Sequence, residues 1–68
     1  SANWKTAQNE EEIKELIEDT TLDEALIQIK GYYHFNRQEY AQARTHFLLN
    51  TLAFPDSASA QRDLQRVE

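Results

Sequence analysis

The 68-residue sequence contains no cysteine and no methionine, and it has one glycine, one proline and one tryptophan. Without cysteine the chain can form neither a disulfide nor a thiolate metal site, so its redox compartment is not indicated. The missing methionine indicates a processed product or a piece of a longer protein. Because glycine and proline are the residues that most often interrupt helices, their scarcity favours a single all-α domain over residues 1–68.

Positive charge is also sparse, since 12 acidic residues against seven lysines and arginines give a formal net charge of −5. The excess of acid lies in residues 1–34, where eight acids face three lysines, whereas residues 35–68 carry four acids and four arginines. Nucleic-acid binding depends on clustered lysine and arginine, so neither nucleic acid nor an anionic membrane surface is expected as a partner. No apolar run approaches the roughly 18 residues that a membrane-spanning helix needs. We interpret the acidic run as a solvated helix face.

Helix starts are indicated by capping boxes, in which Ser, Thr or Asn caps a helix and a Glu three residues later returns the hydrogen bond. Three pairs have this spacing, namely Asn9 with Glu12, Thr21 with Glu24, and Asn36 with Glu39. Pro55 disfavours helix at the residue before it, so a fourth helix is expected to begin with Asp56 or Ser57 as its cap. The sequence therefore predicts three to four antiparallel helices, with an N-terminal extension at 1–8 and helices at 9–19, 22–35, 38–53 and 57–67.

The single glycine, Gly31, lies in the middle of the predicted helix 22–35. A glycine inside a helix costs about 1 kcal/mol relative to alanine. A glycine kept at that cost commonly permits the close approach of another backbone. We therefore expect the helices 22–35 and 38–53 to touch at residue 31.

The spacing of six residues resembles the tetratricopeptide repeat, a 34-residue helix–turn–helix with a glycine, an alanine, a phenylalanine and a proline at fixed distances. The matching positions are Ile27, at the family's tryptophan position, Gly31, Tyr40, Ala43, Phe47 and Pro55. One repeat would span about residues 24–57, half of the chain. In this register the small residues Gly31 and Ala43 would let the helices approach, while Tyr40 and Phe47 would fill the space beside them.

The sequence departs from the family pattern at three positions. Lys30 stands where the family has leucine, His34 stands at its tyrosine position, and Asn50 stands at a later small residue. A single repeat buries its apolar faces only by stacking on neighbours. The flanking helices 9–19 and 57–67 are therefore expected to complete the core, as a preceding helix and a capping helix.

The resemblance implies that a peptide would bind along the surface lined by the first helix of the repeat. The positions concerned would be Ala25, Gln28, Tyr32, Phe35 and Asn36. The lysine and asparagine of the family's carboxylate clamp are replaced by Gln28 and Tyr32, so that clamp is not expected. The alternative is that Tyr32 and Phe35 pack against residues 9–19 of the same domain.

Catalytic and metal-binding patterns are not found in the sequence. His34 and His46 are predicted on different helices and have no carboxylate at a ligand spacing, so neither a metal nor another cofactor is expected. The acidic residues lie on an exposed helix face, which does not supply the pocket that catalytic carboxylate pairs require. We therefore do not expect an enzyme.

We interpret the chain as a protein-interaction or assembly module of tetratricopeptide type. Its expected partner is another protein or a peptide segment, and self-association into a homo-oligomer is a further possibility. The alternative function is a helical appendage of a larger protein, such as an enzyme, that serves folding or dimerisation. The compartment is left open, with the cytoplasm favoured.

Overall fold

The structure, a computed structural model, describes residues 22–68. The predicted extension at 1–8 and the predicted helix 9–19 lie outside these residues. The described part is all-α, as expected, and consists of α1 (Glu24–Asn36), α2 (Tyr40–Ala53) and α3 (Ala58–Gln65) without a strand. Over the same residues, no helix combines the length and the apolar character needed to cross a membrane.

Helix α1 begins later than predicted because Asp23, not Thr21, provides its N-cap. Asp23 has extended backbone angles, and its side chain accepts a hydrogen bond of 3.0 Å from the Leu26 amide. An aspartate in this position satisfies one of the free amides of the first helical turn. The helix therefore starts at residue 24, two residues after the predicted start, and continues to Asn36.

The connection from α1 to α2 is short, as expected, but its capping was predicted wrongly. Asn36 is the last residue of α1, and Glu39 precedes α2 without a capping side-chain hydrogen bond. Between them Gln38 adopts a positive φ of 62°, a left-handed conformation that residues other than glycine seldom adopt. This residue turns the chain, so α2 begins at Tyr40 and not at residue 38.

The connection from α2 to α3 agrees with the sequence prediction. Helix α2 ends at Ala53, directly before Phe54 and Pro55. Ser57 has extended backbone angles and accepts a hydrogen bond of 3.1 Å from the Ala60 amide, so it is the N-cap of α3. The helix covers residues 58–65 and is shorter than the predicted 57–67.

The interface of α1 and α2 is centred on Gly31 and Phe47. A Cβ atom placed on Gly31 would lie 2.7 Å from Cδ1 of Phe47, closer than van der Waals contact allows. The glycine therefore makes room for an aromatic ring, and not for the backbone that the sequence had suggested. Ala43 is fully buried as expected, but Tyr40 is 51% exposed and does not fill the space between the helices.

An aliphatic cluster extends this interface toward α3. Ile27, Leu48 and Leu49 form its buried part. The half-buried side chains packed against it are Leu22, Leu52, Phe54 and Leu64. Residues from all three helices thus contribute to the core.

Candidate protein-interaction surface

Two of the predicted groove residues, Gln28 and Tyr32, are held by α3. The Gln28 side-chain amide donates to Asp63 Oδ2 at 2.9 Å and to Ser59 Oγ at 3.3 Å. The Tyr32 hydroxyl donates to the other carboxylate oxygen of Asp63. Helix α3 therefore covers this side of α1 by polar contacts, and these two side chains are engaged within the domain.

Asp63 is the acceptor that joins α1 to α3, and the sequence reading did not single it out. Only 5% of its surface is exposed. Burial, and then the hydrogen bond to Asp63, raises the pKa of the Tyr32 hydroxyl above its ordinary value. The neutral phenol is thereby kept as a donor. Five of the eight residues of α3 are polar, so no local pattern in the sequence distinguishes Asp63 as the buried one.

Phe35 is half-buried within a row of aromatic rings along α1. Its ring meets Tyr32 edge-on at a centroid distance of 6.0 Å and Tyr40 at 5.5 Å. Tyr32 in turn lies 5.0 Å from the ring of Phe47. The row connects the core at Phe47 to the exposed Tyr40, so Phe35 packs within the domain and leaves only part of its ring accessible.

The remaining predicted groove residues, Ala25 and Asn36, are exposed on the side of α1 opposite the buried Ile27. At about 100° per residue they share this flank with three large apolar side chains. Leu26 is 49% exposed, Ile29 is 64% exposed and Tyr33 is 57% exposed. We call the surface formed by Ala25, Leu26, Ile29, Tyr33 and Asn36 the outer face of α1.

One end of the outer face carries a group of charged and aromatic side chains. The guanidinium carbon of Arg37 lies 5.2 Å from the centre of the Tyr33 ring, and the same side chain contacts Glu39 at 3.3 Å. His34 donates to Glu39 at 2.8 Å. This hydrogen bond is the main cause that lowers the pKa of Glu39. The group fixes Tyr33 beside a cation at the border of the outer face.

His34 also lies beside the second histidine, which the sequence placed on another helix. The two rings have centroids 5.0 Å apart, and His46, which is buried, donates from Nδ1 to the Gln42 carbonyl at 2.7 Å. In the part of the chain from 22 to 68, no three His, Cys, Asp or Glu side chains are arranged to hold a metal ion. The histidine pair thus belongs to the interface of α1 and α2.

Asn50, one of the three departures from the repeat pattern, makes a hydrogen bond between α2 and α1. The residue is buried, and its Nδ2 donates to the backbone carbonyl of Glu24 at 3.1 Å. This contact joins the end of α2 to the start of α1. The side chain of Glu24 in turn accepts a hydrogen bond from Ser57 at 2.5 Å, so the same end of α1 is tied to the cap of α3.

No family model, curated protein or solved structure matches the chain. The resemblance to the tetratricopeptide repeat therefore depends on the residues themselves. Of its six positions, Ile27, Gly31, Ala43 and Phe47 are buried between α1 and α2, whereas Tyr40 and Pro55 are exposed.

Proposed function

We propose that this chain is a non-catalytic protein-interaction module of tetratricopeptide type, whose partner binds the outer face of α1. The observation that supports it is the exposure of Leu26, Ile29 and Tyr33 on one side of a single helix. Contiguous apolar side chains on a small domain mark a site of protein contact more often than isolated ones do. The partner is a protein or peptide segment that presents apolar side chains to this face.

The composition of the outer face suits such a contact. Removing apolar surface from water favours association by roughly 25 cal/mol per Å2, before the entropy cost of binding is subtracted. Tyrosine is among the residues that most often anchor interfaces, and Tyr33 is held in place by Arg37. Ala25 and Asn36 add a small residue and an amide that can hydrogen-bond to a partner.

The proposed binding surface excludes two residues of the predicted groove, Gln28 and Tyr32. Gln28 and Tyr32 already satisfy Asp63, so a partner would have to break those hydrogen bonds to reach them. Breaking a hydrogen bond to a charged group costs about 1.5–3 kcal/mol. The outer face requires no such rearrangement, and it is therefore the more accessible surface.

A peptide-display selection against the whole chain tests the proposal. We expect the selected peptides to carry apolar side chains. When one is titrated into isotopically labelled protein, the largest NMR shift changes should lie at Ala25, Leu26, Ile29, Tyr33 and Asn36. Recovery of no peptide with a dissociation constant below about 100 μM, or shift changes centred on α3, would overturn the proposed surface.

In the alternative function, the chain is a helical appendage that dimerises its parent protein through the same apolar face. In that case the outer faces of two copies would cover each other. Sedimentation velocity at two protein concentrations separates the alternatives, because a dimerising appendage shifts to a larger species as concentration rises. A monomer at both concentrations that still binds selected peptides supports the interaction module.

A further inference from the structure

The outer face of α1 has the residue spacing of a coiled-coil seam. Leu26, Ile29, Tyr33 and Asn36 follow one another at intervals of three, four and three residues. This is the a and d pattern of the heptad repeat, in which each side chain inserts between four residues of a facing helix. Leu26, Ile29 and Tyr33 are about half exposed or more. The spacing of these exposed side chains therefore fits a second helix.

The seam belongs to a helix that is already held in place. From residue 26 to residue 36 α1 rises about 15 Å, which is almost three turns. On its other sides Ile27 packs in the core cluster and Gln28 donates to Asp63 of α3. Because α1 is ordered by these contacts, the partner helix bears most of the entropy cost of ordering when the two bind.

The two long edges of the seam differ in charge. One edge is formed by Lys30 and Arg37, whose side chains are exposed, and the other is formed by the uncharged Ala25 and Tyr32. Arg37 contacts Glu39 at 3.3 Å, so those two charges offset each other at the end of the seam. The middle of the seam thus has a positive edge at Lys30. In coiled coils the charges at these flanking positions determine partner choice and orientation.

We propose that the partner of the outer face is an amphipathic helix whose apolar seam is flanked by carboxylates, one of which pairs with Lys30. This inference rests on the proposed function and specifies the chemical class of its partner. The whole chain has a formal net charge of −5, which at long range favours a basic partner. A preference for an acidic helix therefore has to come from the local charge at the seam.

A second copy of the chain fits the seam less well than an acidic helix. In a two-fold symmetric pair of α1 helices centred on residue 30, the two Lys30 side chains would face each other. Arg37 would then face Asp23 of the second copy. However, Arg37 already contacts Glu39, and Asp23 caps the Leu26 amide. A different helix can place a carboxylate opposite Lys30, which a second copy cannot do in this arrangement.

Two synthetic peptides of three heptads test the inference. Both carry leucine at positions a and d, and they differ only at positions e and g, which are all glutamate in one peptide and all lysine in the other. Like charges across the seam oppose self-association of either peptide. Fluorescence anisotropy gives the dissociation constant of each peptide for the wild type, for Lys30→Glu, and for the control Arg62→Glu, which makes the same charge change on the exposed side of α3.

We expect the wild type to bind the acidic peptide at least about threefold more tightly than the basic one, a modest ratio because exposed ion pairs contribute little. Lys30→Glu should reverse this order, and Arg62→Glu should keep it. Circular dichroism checks that each variant is folded.

Tighter binding of the basic peptide to the wild type, or an order that Lys30→Glu leaves unchanged, overturns the acidic partner. Equal binding of both peptides that is lost in Ile29→Glu also overturns it, but leaves the proposed function intact. Binding of neither peptide overturns the inference, and the peptide-display selection then decides the proposed function separately. A dimer of the chain that Ile29→Glu abolishes would identify a second copy as the occupant of the seam.

Discussion

The ring of Phe47 occupies the space into which a side chain at residue 31 would project, so that Gly31 and Phe47 form one interlocking contact. Phe47 is fully buried there. The contact explains why a glycine is kept inside α1, although it costs about 1 kcal/mol relative to alanine in a helix. Together these two residues set how closely α1 and α2 approach.

The first prediction concerns Gly31→Ala. In an exposed helix this change would stabilise the protein by about 1 kcal/mol, but here the added methyl group would overlap the ring of Phe47. Because overpacking a core costs about 1–3 kcal/mol, we expect the free energy of unfolding to fall by about 1–2 kcal/mol. Urea denaturation followed by circular dichroism measures this change.

A double-mutant cycle shows whether Phe47 is the cause. In a Phe47→Leu background the smaller side chain leaves room at residue 31, so Gly31→Ala should become neutral or stabilising. We expect a coupling of at least about 1 kcal/mol between the two changes. If the two effects simply add, the ring of Phe47 is not what excludes a side chain from residue 31.

The second prediction concerns the turn between α1 and α2, where Gln38 has a φ of 62°. This conformation costs a residue with a Cβ about 1 kcal/mol, whereas glycine adopts it freely. Gln38→Gly should therefore raise the urea midpoint, by about 0.5–1 kcal/mol in unfolding free energy. The matched control Gln42→Gly, on the exposed side of α2, should lower stability by a similar amount. The same sign for both substitutions would show that the turn is not strained.

The third prediction concerns the N-cap of α3, where replacing Ser57 by aspartate should lower the free energy of unfolding. The two residues are ordinarily equivalent at an N-cap. Ser57, however, donates a hydrogen bond of 2.5 Å to the Glu24 carboxylate, and Ser57→Asp would set two carboxylates against each other. We expect a loss of about 1 kcal/mol by urea denaturation, recovered in a Glu24→Gln background. Stability equal to the wild type would mean that Ser57 and Glu24 are not in contact.

The fourth prediction concerns stability at high pH. The pKa of Tyr32 is raised in the folded state, first by burial and then by the hydrogen bond to Asp63. A raised pKa means that the neutral phenol's contribution to stability is complete below pH 10 and is lost as pH rises through the folded value. The wild-type urea midpoint should fall more steeply above pH 10 than that of Tyr32→Phe. The exposed Tyr33→Phe serves as control and should follow the wild type; equal slopes for all three proteins would contradict this contact.

Within residues 22–68 the sequence predicted the presence and order of the three helices but not all of their caps. Gly31, Pro55 and the Ser57 cap are single residues with few alternative roles, and each lies where the pattern indicated. The capping box predicted for Asn36 and Glu39 did not form, because each residue has another role. Helix α1 could continue through Asn36 once Gln38 turned the chain, and Glu39 was already paired with His34.

The binding surface was harder to predict because helix periodicity shows which residues share a face but not which face is covered. Leu26, Ile29 and Tyr33 are apolar residues that would suit either a core or a partner, and only the structure shows that they are exposed. Gln28 and Tyr32 were predicted to face a partner, but they face Asp63. That contact joins residues more than 30 positions apart, which no local pattern reveals.

The affinity of a selected peptide for Ile29→Glu tests the central claim, that the outer face of α1 binds the partner. Fluorescence anisotropy would compare the wild type, Ile29→Glu, and the control Gln65→Glu on the exposed side of α3. We predict that Ile29→Glu weakens binding at least about tenfold, which corresponds to about 1.4 kcal/mol, while Gln65→Glu stays within about twofold. Equal dissociation constants for the wild type and Ile29→Glu would contradict the account.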